Sequence, residues 1–262
     1  MIGFIIQFSS ENNMRFLVQK IDGKIVHDFA FEMQQAKKYY DWSGKEKLII
    51  RYIDGVDFSK IKNPDWYVPI GTVEFVSAYL NTFYPEAKKS LLPLNVPIQL
   101  FKYAGRDIAN REEFNKKIVD NVFDPMQTVF MKSNDKIKSY ENGLCEYHCI
   151  PDGNWQISEQ VDIVSEWRVF VFNGEIQHIS NYSGDCMWFP DSYEIHKMVE
   201  DYKKSPKAYT LDVAVIKKSE DCYKTVIIES HRFFSCGLYG FSDHARIPKM
   251  FSQCWNEMKR MR

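Results

Sequence analysis

Trp167-Arg168-Val169-Phe170-Val171-Phe172-Asn173-Gly174-Glu175-Ile176-Gln177-His178-Ile179-Ser180 reads as two β-strands joined by a tight turn. Val, Ile, Phe and Trp fit a pleated, half-buried surface. Asn-Gly supplies positive φ at both central positions of a two-residue hairpin. Downstream, the pattern predicts a helix over residues 192–203, β runs over 208–216 and 223–229 joined by a charged turn at 217–221, and a helix near 242–258. Upstream, a helix over 111–119 precedes strands over 128–132, 145–150 and 155–163. The polar stretch 133–143 is too long for a tight hairpin and too polar for a core, so it reads as an exposed loop. Hairpins interleaved with helices place the chain in the α+β class, with mostly antiparallel sheets.

Nearer the start, short strands are expected at 2–8, 48–52 and 66–68, with an amphipathic helix through 74–80, where Phe75, Ala78 and Tyr79 share a face. Pro93 and Pro97 then break regular structure and mark the first boundary. The chain has 262 residues, 45% of them hydrophobic, 15% aromatic and 26% charged, an ordinary globular composition. Lys+Arg 34 against Asp+Glu 35 excludes a broadly basic nucleic-acid binder. No apolar run reaches the roughly 18 residues that span a bilayer. The start, Met1-Ile2-Gly3-Phe4, lacks the basic region of a signal peptide. Six cysteines without a CxxC pair read as free thiols of a reducing compartment, and the expected location is the cytoplasm.

Three constellations can carry chemistry. Glu166 and Arg168 project to one face of a strand, which suits a catalytic pair or a structural ion pair. Asp212 and Glu229 lie on neighbouring β runs among apolar residues, and antiparallel pairing would aim both at one point. Buried carboxylates need a partner or a cation, so a Mg²⁺ or Mn²⁺ site is one reading and two solvated strand ends are the other. Lys132 ends an apolar strand and feeds the loop carrying Lys136 and Lys138, either a phosphate clamp or a solvated loop.

The order of these pieces resembles that of the ATP-grasp ligases. The resemblance is most specific in Val164-Ser165-Glu166-Trp167-Arg168-Val169-Phe170-Val171, Tyr209-Thr210-Leu211-Asp212-Val213, and Ile227-Ile228-Glu229-Ser230-His231 with Gly237-Leu238-Tyr239-Gly240-Phe241. Tyr67-Val68-Pro69-Ile70-Gly71-Thr72-Val73-Glu74-Phe75-Val76 is similar to the N-terminal region of a compact ATP-grasp clade of bacteria and their phages, so the likeness covers roughly residues 65–245. It implies an ATP-grasp fold of two α+β lobes, a small one over 96–164 and a large one over 165–262, preceded by a small α/β domain over 1–95.

For the site, the resemblance implies that Lys132 and Lys138 grip the phosphates of ATP. Glu159 and the backbone at Val161 would receive adenine, and Glu166 the ribose. Arg168 would steady the transferred phosphate and the acyl-phosphate, with Lys138 beside it, and Asp212 and Glu229 would hold Mg²⁺. The family pattern has Glu-x-Asn where this chain has Glu229-Ser230-His231. Imidazole is a poorer ligand than an amide oxygen for Mg²⁺ and a better one for Mn²⁺, so His231 enters the expected metal set and admits Mn²⁺. The implied activity is ATP-dependent ligation of a small-molecule or peptide carboxylate to an amine or thiol through an acyl-phosphate, releasing ADP and phosphate. An ATP-binding protein with an altered metal site, or another phosphoryl transfer, is the alternative. Neither a membrane nor nucleic acid is an expected partner.

Arg106 and the Ser183-Gly184-Asp185 turn are candidates for the acceptor pocket by position alone. On a strand, Cys145 and Cys149 face together and His148 faces away, which argues against a Cys–His nucleophile there. His27, His178, His196 and His244 read as core or surface residues.

Overall fold

In the computed structural model, which describes residues 13–44 and 46–261, the chain forms three sheets among the described residues. The strand expected at 2–8 lies outside them. Asn13–Lys20 (β1) carries Phe16, Leu17 and Val18, all fully buried, on consecutive positions. Burial on both faces is the mark of a central parallel strand covered by helices. After Asp28–Ser43 (α1) come Lys47–Asp54 (β2) and Val68–Ile70 (β3), and both pair with β1 in parallel, in the order β2-β1-β3. Gly44 ends α1 in the left-handed region, where its N–H reaches the Tyr40 carbonyl. Val73–Phe83 (α2) follows, its first turn capped by the Thr72 hydroxyl accepting from Phe75 N. A Cβ at Gly71 would lie 2.4 Å from Phe75 Cδ1, so the strand-to-helix corner needs glycine.

Ile108–Ala109 (β4) leads into Arg111–Val119 (α3), which starts at a capping box between Asn110 and Glu113. Thr128–Ser133 (β5), Gly143–Glu146 (β6) and Trp155–Glu159 (β7) complete an antiparallel sheet ordered β4-β7-β5-β6. Its core holds Phe114, Val129, Tyr147 and Ile157.

Asp162–Phe172 (β8) and Glu175–Gly184 (β9) form the hairpin read from the sequence, with φ of 53° at Asn173 and 80° at Gly174. Ser192–Asp201 (α4), Ala208–Ser219 (β10) and Cys222–Arg232 (β11) follow, and the sheet runs β11-β10-β8-β9. Both of its faces are buried. Val169, Val171, Leu211 and Val213 pack with Ile195 and Met198 of α4, while Phe170 and Ala208 join the core of the parallel sheet. Ile247–Met258 (α5) returns to that same core with Phe251, Cys254 and Trp255, and Trp255 meets Tyr79 edge-on at 5.7 Å. None of the described helices is long and apolar enough to cross a membrane.

Several expected elements are corrected. β1 and α1 escaped the reading of the sequence. Residues 64–66 form a 3₁₀ turn rather than the start of a strand, and β3 begins at Val68. The strand expected over 145–150 stops at Glu146. The chain then makes a 3₁₀ turn, Tyr147–Cys149, that drops Tyr147 into the core, where its hydroxyl donates to Arg111 O at 3.0 Å. The run expected over 155–163 is broken at Gln160–Val161, because β7 pairs with β5 and β8 with β10. The last helix begins at Ile247 rather than 242, with Pro248 in its first turn.

Phe251→Ala should lower unfolding stability by about 3–5 kcal/mol, the scale for emptying a packed aromatic site. Phe31→Ala, at a half-exposed position of α1, should change it by less than about 0.5 kcal/mol. Urea titration of both variants checks the pair.

Candidate functional site

Register places Arg168 of β8 directly opposite Asp212 of β10, and Asp212 directly opposite Glu229 of β11. Arg168 and Asp212 form a two-pronged pair, with Nε donating to Oδ1 at 2.8 Å and Nη2 to Oδ2 at 2.7 Å. Asp212 is 1% exposed and Arg168 8%, so neither is a solvated strand end. The partner of Arg168 is Asp212 and not Glu166, which settles the ion-pair alternative on that strand. Nη1 of Arg168 donates to Gly237 O at 3.2 Å, and the guanidinium lies 5.5 Å from the Tyr182 ring and 5.1 Å from that of Tyr239. Burial alone would weaken its charge; the hydrogen bonds and charge of Asp212 more than reverse this.

Glu229 sits between Lys132 and His231. Lys132 of β5 donates to Oε2, and His231 Nε2 lies 2.6 Å from Oε1. Burial would raise the Glu229 pKa, yet the charges and hydrogen bonds of His231 and Lys132 hold it well below the usual carboxylate range. One ligand atom each from Asp212, Glu229 and His231 lie within 4.8 Å of one another. Two carboxylates and an imidazole suit a divalent cation, and Arg168 and Lys132 occupy the carboxylate oxygens here. Glu166 completes the acidic group: burial raises its pKa first, a bond from Ser183 opposes this, and repulsion from Asp212 and Glu229 adds to it.

Two cavities meet at this cluster, sharing Phe130, Lys132 and Glu229 as their common wall. The larger, about 400 Å³, receives Lys136 and Lys138 of the 133–143 loop, Arg168, His231, Arg232 and Tyr239. The smaller, about 340 Å³, is walled by Leu144, Ile163 and Ile228 and rimmed by Glu159, Gln160 and Val161, with Glu166 also in its lining. Glu159 Oε2 accepts from Asp107 N at 3.0 Å, which ties the rim to the segment before β4.

Arg106, an acceptor-pocket candidate by position, lines the smaller cavity. Its Nη1 donates to Ala104 O and Ile227 O, and burial lowers its pKa to about 10. Ser183, Gly184 and Asp185 line neither cavity. Arg232, Tyr239 and Asn95 were not singled out from the sequence. Asn95 ties the two sides together: its carbonyl accepts from Ser230 N of β11, and its amide donates to Ser133 O at the start of the lysine loop. Asn95, Lys138, Ser235 and Tyr239 all have φ between 46° and 52° and all line the larger cavity. Left-handed residues other than glycine carry strain, and they collect where the fold holds a site in shape.

The 3₁₀ turn after β6 also revises the surface trio. His148 does not face away from Cys149: its Nε2 lies 3.3 Å from Sγ, and its Nδ1 lies 3.4 Å from Glu146, all three exposed. His244 pairs with Glu32 at 2.7 Å, and His178 stacks on Phe241.

Asp212→Ala leaves the Arg168 charge buried without a partner and should cost about 3–5 kcal/mol of stability. Adding Arg168→Met should recover most of that loss, since an apolar side chain then replaces an unpaired ion. A double-mutant cycle in urea reads both numbers.

Residues 108–247 match a family described as an ATP-grasp domain, the second family of its clade. No curated protein matches the chain in sequence. Among solved structures, the chain is similar to N5-carboxyaminoimidazole synthetase from Staphylococcus aureus at TM-score 0.55 and 9% identity, covering 92% of this chain and 80% of that one. It is similar to D-cycloserine synthetase DcsG at TM-score 0.53 and 9% identity, covering 92% and 99%. It is similar also to a RimK domain ATP-grasp protein from Sphaerobacter thermophilus at TM-score 0.51 and 12% identity, again covering 92% and 99%. At such identities the likeness is one of fold.

Proposed function

The chain belongs to this ATP-grasp domain family, and from that premise we propose that it is an ATP-dependent ligase that activates a carboxylate as an acyl-phosphate and passes it to an amine. The observation that carries this reading is the pair of cavities meeting at Lys132 and Glu229. A ligase of this kind must hold a nucleotide and an acceptor on either side of the transferred phosphoryl group, and the shared wall is where that group would sit.

The smaller cavity is the nucleotide's. Its flat apolar walls suit a purine, the backbone around Val161 offers hydrogen bonds to its edge, and Glu166 lies within reach of a ribose hydroxyl. Arg106, half-buried and bonded among the described residues to the Ala104 and Ile227 carbonyls, adds a positive charge to that cavity. Lys132 and Lys138 take the phosphates, and Lys132 leaves Glu229 as they arrive. Asp212, Glu229 and His231 would hold a divalent cation, Mg²⁺ or Mn²⁺, which when bound neutralises charge on the phosphates. Arg168 faces the larger cavity beside Gly237 and steadies the developing acyl-phosphate. Such transfers depend on positioning and charge screening more than on a protein nucleophile, in keeping with a site of lysines, arginines and acids.

Ligand that binds only the folded chain stabilises it, by about 2.7 kcal/mol at a hundredfold excess over Kd. ATP with Mg²⁺ should therefore raise the melting temperature of the wild-type chain, and Lys132→Ala and Asp212→Asn should abolish most of that rise relative to each variant alone. A larger rise with Mn²⁺ would mark His231 as a ligand. Calorimetric melting curves with and without nucleotide decide it; no rise with any nucleotide overturns the reading. A rise without carboxylate-dependent ADP release would leave a nucleotide-binding protein in which His231 has displaced the catalytic metal geometry.

A further inference from the structure

We propose that Glu146, His148 and Cys149 form a second metal site, for Zn²⁺ rather than Mg²⁺, at the exposed turn after β6. It does not depend on the ligase reading and shares no residue with the Asp212–Glu229–His231 cluster.

Local folding gathers the three side chains. Where β6 ends, the chain enters a 3₁₀ turn in which Tyr147 and Ile150 are buried while Glu146, His148 and Cys149 are exposed. Tyr147 anchors that turn, its hydroxyl within hydrogen-bond distance of Arg111 O and Asn115 Oδ1. Tyr147 N donates to Gln127 O at 3.1 Å and His148 N to Pro125 O at 3.2 Å. The backbone that carries the trio is thus held by contacts in which none of the three side chains takes part. Little order remains to be imposed when an ion arrives, and a preorganised site binds better for that reason.

The side chains stand at the spacing of a coordination shell. His148 Nε2 lies 3.3 Å from Cys149 Sγ, and Nδ1 lies 3.4 Å from Glu146 Oε2. Zinc bonds of about 2.3 Å to sulfur and about 2.0 Å to nitrogen at a tetrahedral angle put those two atoms about 3.5 Å apart. His148 and Cys149 therefore already form one edge of such a shell. One ligand atom from each of the three residues lies within 4.8 Å of the others. The exposed Glu146 side chain is free to rotate through the remaining distance.

The donor types choose the ion. A thiolate favours Zn²⁺ over Mg²⁺ or Mn²⁺, imidazole suits it too, and the carboxylate adds a second negative charge. Cys149 gives up its thiol proton to solvent on binding. Three protein ligands leave a fourth position for water. Cys145 Sγ contacts Met131 Sδ at 3.8 Å and adds no ligand to the trio. The inner cluster has the opposite bias, with two carboxylates, one imidazole and no sulfur.

Co²⁺ is the probe, because a thiolate bound to it gives a near-ultraviolet charge-transfer band that oxygen and nitrogen ligands do not. The full chain, reduced and free of oxygen, should develop this band on titration with Co²⁺ in excess Mg²⁺, and Zn²⁺ should erase it by displacing the cobalt. Cys149→Ser should remove the band. His148→Gln should need about tenfold or more Co²⁺ to reach half its amplitude, the scale of one lost ligand. The replaced side chains are exposed, so the variants should melt with the wild-type chain; Glu146→Gln, which keeps the shape and loses the charge, gives a second reading of the ligand set. Absence of the band, a band that survives Cys149→Ser, a half-saturation moved by neither His148→Gln nor Glu146→Gln, or cobalt that Zn²⁺ fails to displace overturns the proposal.

Discussion

The pair between Arg168 and Asp212 is the constraint on which the rest of the site depends. Burying two charges is expensive unless geometry and further hydrogen bonds compensate, and here the compensation is complete: both carboxylate oxygens are engaged and the remaining guanidinium edge meets the Gly237 carbonyl. The pair fixes the centre of β8 against β10 on the face that also carries Phe170 and Ala208 into the core. It clamps the Gly237–Tyr239 turn over the sheet. It also supplies the positive charge that offsets Asp212 in the cluster of Glu166, Asp212 and Glu229, where like charges at short range in a poorly solvated setting repel strongly. The Arg168 guanidinium on Asp212 and the Lys132 ammonium on Glu229 together make the acidic cluster tolerable.

Around that centre the chain closes two chambers with backbone that is not at rest. Four left-handed residues line the larger chamber, and Asn95 bridges β11 to the root of the lysine loop. Lys132 and Glu229 satisfy each other across the dividing wall. Each is held in position by the other, and on the proposed ligase reading each would release its partner as phosphate and cation arrive.

What could be read from the sequence followed from local rules. The Asn173–Gly174 hairpin and the strands around Asp212 and Glu229 are governed by turn chemistry and a period of two, so their pairing and the approach of the two carboxylates were legible. The capping box of α3 was a local signal too. Position 147 was not legible, because Tyr147 leaves the strand for a pocket formed by Phe114 and Phe123, residues distant in sequence. The parallel strand β1 reads as an undivided run whose burial is imposed by helices on both sides, one of them from the far end of the chain. Phe29, Met33, Ala36 and Tyr40 did carry a helical spacing, masked by the polar residues between them. Arg106, Arg232 and Tyr239 occupy irregular segments or strand ends, where direction is set by carbonyls such as Ile227 O and Ser90 O. No periodicity reports that.

The helix α5 has a consequence for how the molecule comes into being. Its Phe251, Cys254 and Trp255 fill a core whose other walls are β1, α1 and α2, and Tyr40 of α1 donates to Ala245 O just ahead of it. The parallel sheet leaves the ribosome before α5, yet its apolar face stays uncovered until residues 247–258 follow. Contacts of such long sequence separation form slowly and leave sticky surface exposed meanwhile. During synthesis, the parallel sheet is therefore made well before the helix that completes its core, and a nascent chain stalled short of α5 is the form most in need of a chaperone.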